Sequence, residues 1–99
     1  MTQVTVRMTS RDVHVRMLGH AGDDLVCAGI STVVGAMLNV LGDDAEKVVY
    51  EPGHVEFSSH RPRRESMGAI RVLIEAMMML SEKFPERVGV TLEKPHEIQ

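Results

Sequence analysis

The stretch Leu18–Ser31, LGHAGDDLVCAGIS, is where the sequence pattern of this chain changes from strand to helix. Before it, apolar and polar residues alternate, which is typical of a β-strand with one buried face. After Asp23 and Asp24, which are good N-cap residues, apolar residues recur at helical spacing. The stretch therefore predicts a strand end, a tight turn and a capped helix start, and it contains the only cysteine, Cys27.

The segments on either side of this stretch complete an α+β pattern. Alternating residues around the turn Ser10-Arg11-Asp12 predict a hairpin. Gly29 and Gly35 lie inside the first helix, so we expect that helix to be buried on more than one side. The further predicted elements are hairpin strands over 4–8 and 13–17, a helix end at Gly42, strands over 48–50 and 55–59, a helix over 65–84, a strand over 88–92 and a frayed tail from Lys94.

The order ββαββαβ favours one architecture, with every strand expected to be covered on one face and both helices amphipathic. It predicts an α+β fold in which a mainly antiparallel sheet packs against two helices on one side. A length of 99 residues fits a single domain over residues 1–99. With no Trp, one Tyr and two Phe, the core is expected to be aliphatic.

Charge and cysteine content narrow the functional classes. The net charge is −3, and the one basic run, HRPRR at His60–Arg64, is interpreted as a solvated loop, so no direct nucleic-acid binding is expected. A single cysteine cannot form an internal disulfide, which favours the cytoplasm. We see no signal peptide and no run of about 18 apolar residues, and therefore expect no membrane contact.

The helix start gives Cys27 a position suited to chemistry. If Asp24 is the N-cap, Cys27 is the third helical residue, where unpaired N–H groups and the helix dipole favour a thiolate. Gly19 can break the alternation of the strand, so that His20 can turn toward Cys27. A Cys–His pair is the minimum for thiol proteolysis, because histidine takes the thiol proton and later protonates the leaving amine.

Two other interpretations fit the same residues. Cys27 can be a small buried hydrophobic residue in a non-catalytic module that binds a peptide or a ribosomal protein. His20 and Cys27 can also hold zinc together with His54 or His60. No CxxC or HxxxH spacing supports that second alternative, so no metal and no cofactor are expected.

Gly19-His20-Ala21 followed by Asp24–Ser31, DLVCAGIS, resembles the ribosomal-processing cysteine protease family Prp. The resemblance implies a small bacterial cysteine endopeptidase, homodimeric, that removes the N-terminal extension of a large-subunit ribosomal protein. It implies that Cys27 is the nucleophile and His20 the catalytic histidine. Supporting or substrate-binding roles are implied for Asp24, Ser31, Gly19 and Ala28.

One departure from the family pattern concerns the link between the two motif elements, Gly19-His20-Ala21 and Asp24–Ser31. It is only Gly22-Asp23 here, whereas many members have a longer flap near the substrate site. Phage and prophage relatives trim capsid or scaffold proteins, and this chain can belong to that group.

The resemblance and the predicted topology also lead to expectations about substrate binding. We expect the substrate to be an extended segment that adds as a strand beside the first hairpin. The oxyanion of the reaction is expected to meet backbone N–H groups near Cys27.

Overall fold

The computed structural model describes residues 1–93, and its elements follow the predicted order ββαββαβ. The expected frayed tail from Lys94 lies outside the described residues. A short 3₁₀ turn, Gly42–Asp44, follows the first helix. The strands are β1 (Thr2–Met8), β2 (Asp12–Leu18), β3 (Glu46–Glu51), β4 (His54–His60) and β5 (Val88–Glu93), and the helices are α1 (Asp24–Leu41) and α2 (Arg64–Lys83).

The five strands form one sheet in the order β3-β4-β2-β1-β5. Three neighbouring pairs are antiparallel, and β5 runs parallel to β1. The predicted α+β class and the mainly antiparallel sheet are therefore confirmed. Both strands of the first hairpin have partners on either side, so the expectation that a substrate strand adds beside that hairpin is wrong. Within residues 1–93, the outer edges of the sheet belong to β3 and β5.

The core lies between one face of the sheet and the two helices, which contact each other. Alternation places the apolar side chains of each central strand on this face, while polar side chains such as Arg16 and Glu56 lie on the other. The core is aliphatic apart from Phe57, as predicted. Its members are Val4, Val6, Val13, Val15, Met17, Ala21, Val26, Ile30, Val34, Met37, Leu41, Phe57, Ile70, Leu73, Met77 and Val88.

Two expectations about burial are wrong. Edge strand β3 is mostly exposed on both faces, with Val48 47% and Tyr50 51% exposed, because it is the outer strand of the sheet and pairs with β4 alone. Helix α1 buries only the face toward the sheet and α2, and a β-carbon at Gly29 would meet open space. Gly35 does lie close to another group, since a β-carbon there would be 3.1 Å from the Tyr50 hydroxyl.

Helix α1 is also more apolar than expected. Residues 25–42 contain no charged side chain, so the expectation that no apolar run of about 18 residues exists is wrong. By length and composition alone, the stretch Asp24–Asp44 could cross a membrane. Packing gives another reason for the apolar character, because α1 contributes five of the buried core residues.

Candidate active site

A cleft of about 400 Å³ lies at the start of α1, where β2 ends and the β3–β4 turn begins. Cys27 and Ser31 line it from α1, and Gly19 and His20 line it from the link that follows β2. The β3–β4 hairpin supplies the facing wall with residues 50–55. The fold thus brings the cysteine and the histidine to one open cleft.

The start of α1 differs by one residue from the expectation. Asp23, not Asp24, is the N-cap, and its carboxylate accepts hydrogen bonds from the N–H groups of Leu25 at 3.0 Å and Val26 at 3.1 Å. Cys27 is therefore the fourth helical residue, and its N–H donates to the carbonyl of Asp23 at 2.9 Å. These three N–H groups have acceptors at the helix start in this structure, and the expectation that an oxyanion meets N–H groups near Cys27 stays a prediction.

The thiol of Cys27 is free and partly buried. Apolar neighbours enclose one side of it, since Cys27 packs against the edge of the core cluster. Its other side faces the cleft. A thiol in this setting is reachable by a substrate while its position is fixed by the helix.

His20 is placed by the residues on both sides of it. Gly19 has a φ of 92°, a conformation that suits glycine, and its N–H donates to the carbonyl of Gly53 at 2.9 Å. The imidazole of His20 lies against Gly53, where a β-carbon would be only 2.8 Å from its Nε2 atom. Within residues 1–93, the imidazole forms no hydrogen bond with the Cys27 thiol. Such catalytic contacts are often long in free enzymes and shorten when substrate binds.

The residues predicted to support the site do not all reach it. Gly19 and Ser31 line the cleft, and the carbonyl of Ser31 accepts a hydrogen bond from the Tyr50 hydroxyl at 2.9 Å. Asp24 and Ala28 are exposed and lie outside the lining, and the Ala28 carbonyl accepts from the Thr32 hydroxyl at 2.8 Å.

Sequence reasoning missed the facing wall of the cleft. His54 lies there and shares a hydrogen bond with Glu56 at 3.0 Å, and His14 shares another with Glu56 at 2.8 Å. The hydrogen bond from His54, then that from His14, lower the pKa of Glu56 from 4.5 to about 2, and Arg16 adds to the effect. The only sequence signal for this wall is the Pro52-Gly53 turn, which predicts a hairpin but not its neighbour.

A metal site was weighed as an alternative use of His20 and Cys27. Among the residues that the structure describes, no group of three or more His, Cys, Asp or Glu side chains could hold a metal ion. The zinc alternative with His54 or His60 therefore has no support from this geometry.

An exposed histidine and a free cysteine on one cleft, in an α+β fold, are the parts of a cysteine protease. The family model described as cysteine protease Prp matches residues 1–89, so the chain belongs to the cysteine protease Prp family. It is accordingly a hydrolase of peptide bonds. No curated protein matches the chain.

Solved structures share the fold. The ribosomal processing protease Prp from Staphylococcus aureus, in complex with a covalently linked product peptide, is 23% identical with a TM-score of 0.75, and the match covers 96% of this chain and 100% of that one. SMU.848 from Streptococcus mutans is 20% identical with a TM-score of 0.75, covering 96% and 99%. A hypothetical protein from Staphylococcus aureus is 19% identical with a TM-score of 0.64, covering 96% and 100%.

Proposed function

We propose that this protease removes the N-terminal extension of a large-subunit ribosomal protein, with Cys27 as nucleophile and His20 as general base and acid. The observation that carries the proposal is the shared cleft: His20 and Cys27 both line it, with six residues between them in sequence. Membership of the Prp family supports the ribosomal substrate. The product peptide held covalently by the Staphylococcus aureus protease supports a covalent mechanism.

The proposed reaction uses the two side chains in turn. His20 takes the proton of the Cys27 thiol, and the thiolate attacks the carbonyl carbon of the scissile bond. His20 then gives the proton to the leaving amine, which leaves an acyl group on the Cys27 sulfur. Water, activated by His20, hydrolyses the thioester and regenerates the free thiol.

The substrate proposed is an extended segment of the precursor. The cleft is open, and its wall carries Tyr50 and Glu51 at the end of the sheet-edge strand β3. An extended peptide that occupies the cleft can continue along β3, because an edge strand offers unpaired backbone groups. Ser31 and Gly19 line the cleft and are proposed to contact this peptide, whereas Asp24 and Ala28 are proposed to act through the helix start.

The cellular setting belongs to the same proposal. We expect the protease to act in the cytoplasm, where a ribosomal substrate is available, as a homodimer and without nucleic acid, membrane or cofactor. Analytical ultracentrifugation over a range of concentrations tests the dimer. A sedimentation coefficient that stays at the value for an 11.0 kDa monomer would exclude it.

The test of the proposed function is cleavage of precursor proteins. The parent protein, Cys27→Ala and His20→Ala are incubated with large-subunit ribosomal proteins that carry N-terminal extensions. We expect the parent to release the extension, Cys27→Ala to be inactive, and His20→Ala to lose roughly 10²–10⁴-fold in kcat/KM. If Cys27→Ala cuts as well as the parent, the mechanism is wrong.

Capsid or scaffold precursors form the second set of substrates, because the two-residue link Gly22-Asp23 is shorter than the flap of many family members. Cleavage of these precursors alone would replace the ribosomal substrate. Stable binding of a precursor without cleavage would favour the non-catalytic module, and slow reaction of Cys27 with iodoacetamide below about pH 8 would agree with it.

A further inference from the structure

The backbone on both sides of His20 is held by residues outside the two motif elements. The carbonyl oxygen of Gly19 accepts a hydrogen bond from the Thr2 hydroxyl at 3.3 Å. The carbonyl oxygen of Ala21 accepts one from Nη1 of Arg87 at 3.0 Å. The carbonyl groups of the residues before and after His20 are thus hydrogen-bonded to Thr2, at the start of β1, and to Arg87, just before β5.

The two residues that donate these hydrogen bonds, Thr2 and Arg87, are also hydrogen-bonded to each other. The N–H of Thr2 donates to the carbonyl of Arg87 at 2.8 Å, which is where β1 and β5 begin to run side by side. Thr2 is 4% exposed and Ala21 is 3% exposed, so both lie in the packed part of the molecule. The hydrogen bonds to the His20 segment therefore come from side chains whose backbone is held by the pairing of β1 with β5.

Arg87 also packs against the short link. Gly22 has a φ of 78°, and a β-carbon there would lie 3.1 Å from Nη1 of Arg87. The guanidinium therefore lies against Gly22 while it bonds to the carbonyl of Ala21. Glycine by itself leaves the backbone free to adopt many conformations, and this neighbour restricts them.

The imidazole itself is positioned from the opposite side. The β3–β4 turn brings Gly53 under the ring, and the space is too small for a side chain at that position. The same turn accepts the N–H of Gly19 at 2.9 Å. Backbone and ring of His20 are consequently fixed by different neighbours, Arg87 for the backbone and Gly53 for the ring.

We propose that Arg87 and Gly53 are positioning residues for His20. The link Gly22-Asp23 then acts as a fixed turn and not as a mobile flap. The proposal rests on the proposed pairing of His20 with Cys27. Arg87 acts on His20 through the Ala21 carbonyl, and Gly53 acts on it by leaving room for the ring. Neither residue needs to touch the substrate.

The first experiment measures the rate at which iodoacetamide alkylates Cys27 as a function of pH, together with kcat and KM for cleavage. Arg87→Ala is compared with the parent, with His20→Ala and with Arg71→Ala, which removes an exposed arginine on α2. We expect Arg87→Ala to move the pH profile toward that of His20→Ala and to lower kcat about tenfold to hundredfold with little change in KM. Arg71→Ala should match the parent.

Rescue separates positioning from general destabilisation. Added guanidinium ion should restore part of the kcat of Arg87→Ala, and Arg87→Lys should keep more activity than Arg87→Ala because it retains one donor. A folded Arg87→Ala protein with the parent's alkylation profile and kcat would overturn the role of Arg87. Failure of both rescues in a variant that has lost activity would overturn that role as well.

Gly53→Ala tests separately whether the space at Gly53 positions the imidazole ring of His20. Its matched control is Gly42→Ala, which also places alanine at a positive φ, 51° against 77°, but has open space around the new β-carbon. We expect Gly53→Ala to lower kcat and flatten the alkylation profile as much as Arg87→Ala does, while Gly42→Ala keeps both. Equal effects of the two alanines would mean that strain, not the His20 ring, is responsible.

The proposed function can fail independently of this inference. If alkylation of Cys27 in the parent does not depend on His20 and no precursor is cut, the catalytic pair itself is wrong. If both hold in the parent and neither Arg87→Ala nor Gly53→Ala changes them, the pair stands and only the positioning roles are overturned.

Discussion

The two helices of this protein begin in opposite ways. Helix α1 has its own cap, because Asp23 immediately before it accepts the N–H groups of Leu25 and Val26. Helix α2 begins after Arg63, whose side chain cannot accept a hydrogen bond. A carboxylate from a distant segment, Asp44, instead accepts the N–H of Arg63 itself at 3.0 Å and binds the Ser66 hydroxyl in the first turn. One helix start is completed locally and the other only by the tertiary fold.

The difference decides what each helix start can do. At α2, the carboxylate of Asp44 also accepts hydrogen bonds from the Ser66 hydroxyl and from Nε of Arg63 at 2.9 Å, so the polar groups there are bound to each other. The bond from Ser66 is the largest cause that lowers the pKa of Asp44 from 3.8 to about 2. At α1, the cap from Asp23 leaves the side chain of Cys27 open to the cleft. The start of α2 serves stability, and the start of α1 is available for chemistry.

The sharpest test of this comparison replaces one side chain near the start of each helix by alanine. Cys27→Ala should abolish cleavage, a loss of roughly 10⁴-fold or more, with little change in stability, because it removes the proposed nucleophile. Ser66→Ala should keep the kcat of the parent but lower the free energy of unfolding by about 1–2 kcal/mol, because it removes a buried donor to a carboxylate. Cleavage assays and urea denaturation measure the two effects. Loss of cleavage in a folded Ser66→Ala protein would contradict the division of roles.

The second test removes the carboxylate that binds the start of each helix, Asp23 at α1 and Asp44 at α2. Asp23→Ala should lower the free energy of unfolding by about 1 kcal/mol, the usual cost of losing an N-cap. Asp44→Ala should lower it further, because Arg63 and Ser66 lose their common acceptor. Urea denaturation at pH 7 compares the two variants. The comparison fails if Asp44→Ala is as stable as the parent.

The third test follows stability into acid. The pKa of Asp44 is lower in the folded protein than its ordinary value of 3.8, so the charged carboxylate stabilises the fold above that pH. This stabilisation is lost as the pH falls from about 4 through about 2. Asp44→Asn should therefore be less stable than the parent at neutral pH, and the gap should close in acid. Urea denaturation between pH 7 and pH 2 measures it, and a gap independent of pH would contradict the assignment.

Glu56 provides a matched case on the polar face of the sheet. Its pKa is also about 2, lowered from 4.5 by the hydrogen bonds from His54 and His14. Glu56→Gln should therefore be less stable than the parent at neutral pH. The difference in unfolding free energy should shrink as the pH falls through the same acid range.

The smallest expected effect concerns the contact between β3 and α1. Tyr50→Phe removes the hydroxyl that donates to the Ser31 carbonyl and should cost about 0.5–1.5 kcal/mol of unfolding free energy. We expect kcat to fall less than twofold, because the turn at Gly53 still supports His20. Thermal denaturation and cleavage assays measure this variant. A large loss of activity would show that β3, and not the turn alone, positions the site.

Sequence reasoning went furthest where local patterns are strong. Alternation in β1 and β2, the Pro52-Gly53 turn and the helical spacing after Asp24 predicted the order of elements and the aliphatic core. It failed at β3, because a short apolar strand does not reveal that it lies at the edge of the sheet. It also misplaced the cap of α1 by one residue, since Asp23 and Asp24 have the same preference for that position.

The sequence by itself determined the elements, their order and the pair of motif segments that contain His20 and Cys27, because period, capping and turn chemistry act between near neighbours. Only the tertiary structure decided that Asp44 accepts the N–H of Arg63 before α2, that Gly53 lies under the imidazole and that Arg87 bonds to the carbonyl of Ala21, the residue after His20. These partners are 19, 33 and 66 residues apart. Contacts at such separation follow from the pairing order of the strands, which no local pattern encodes.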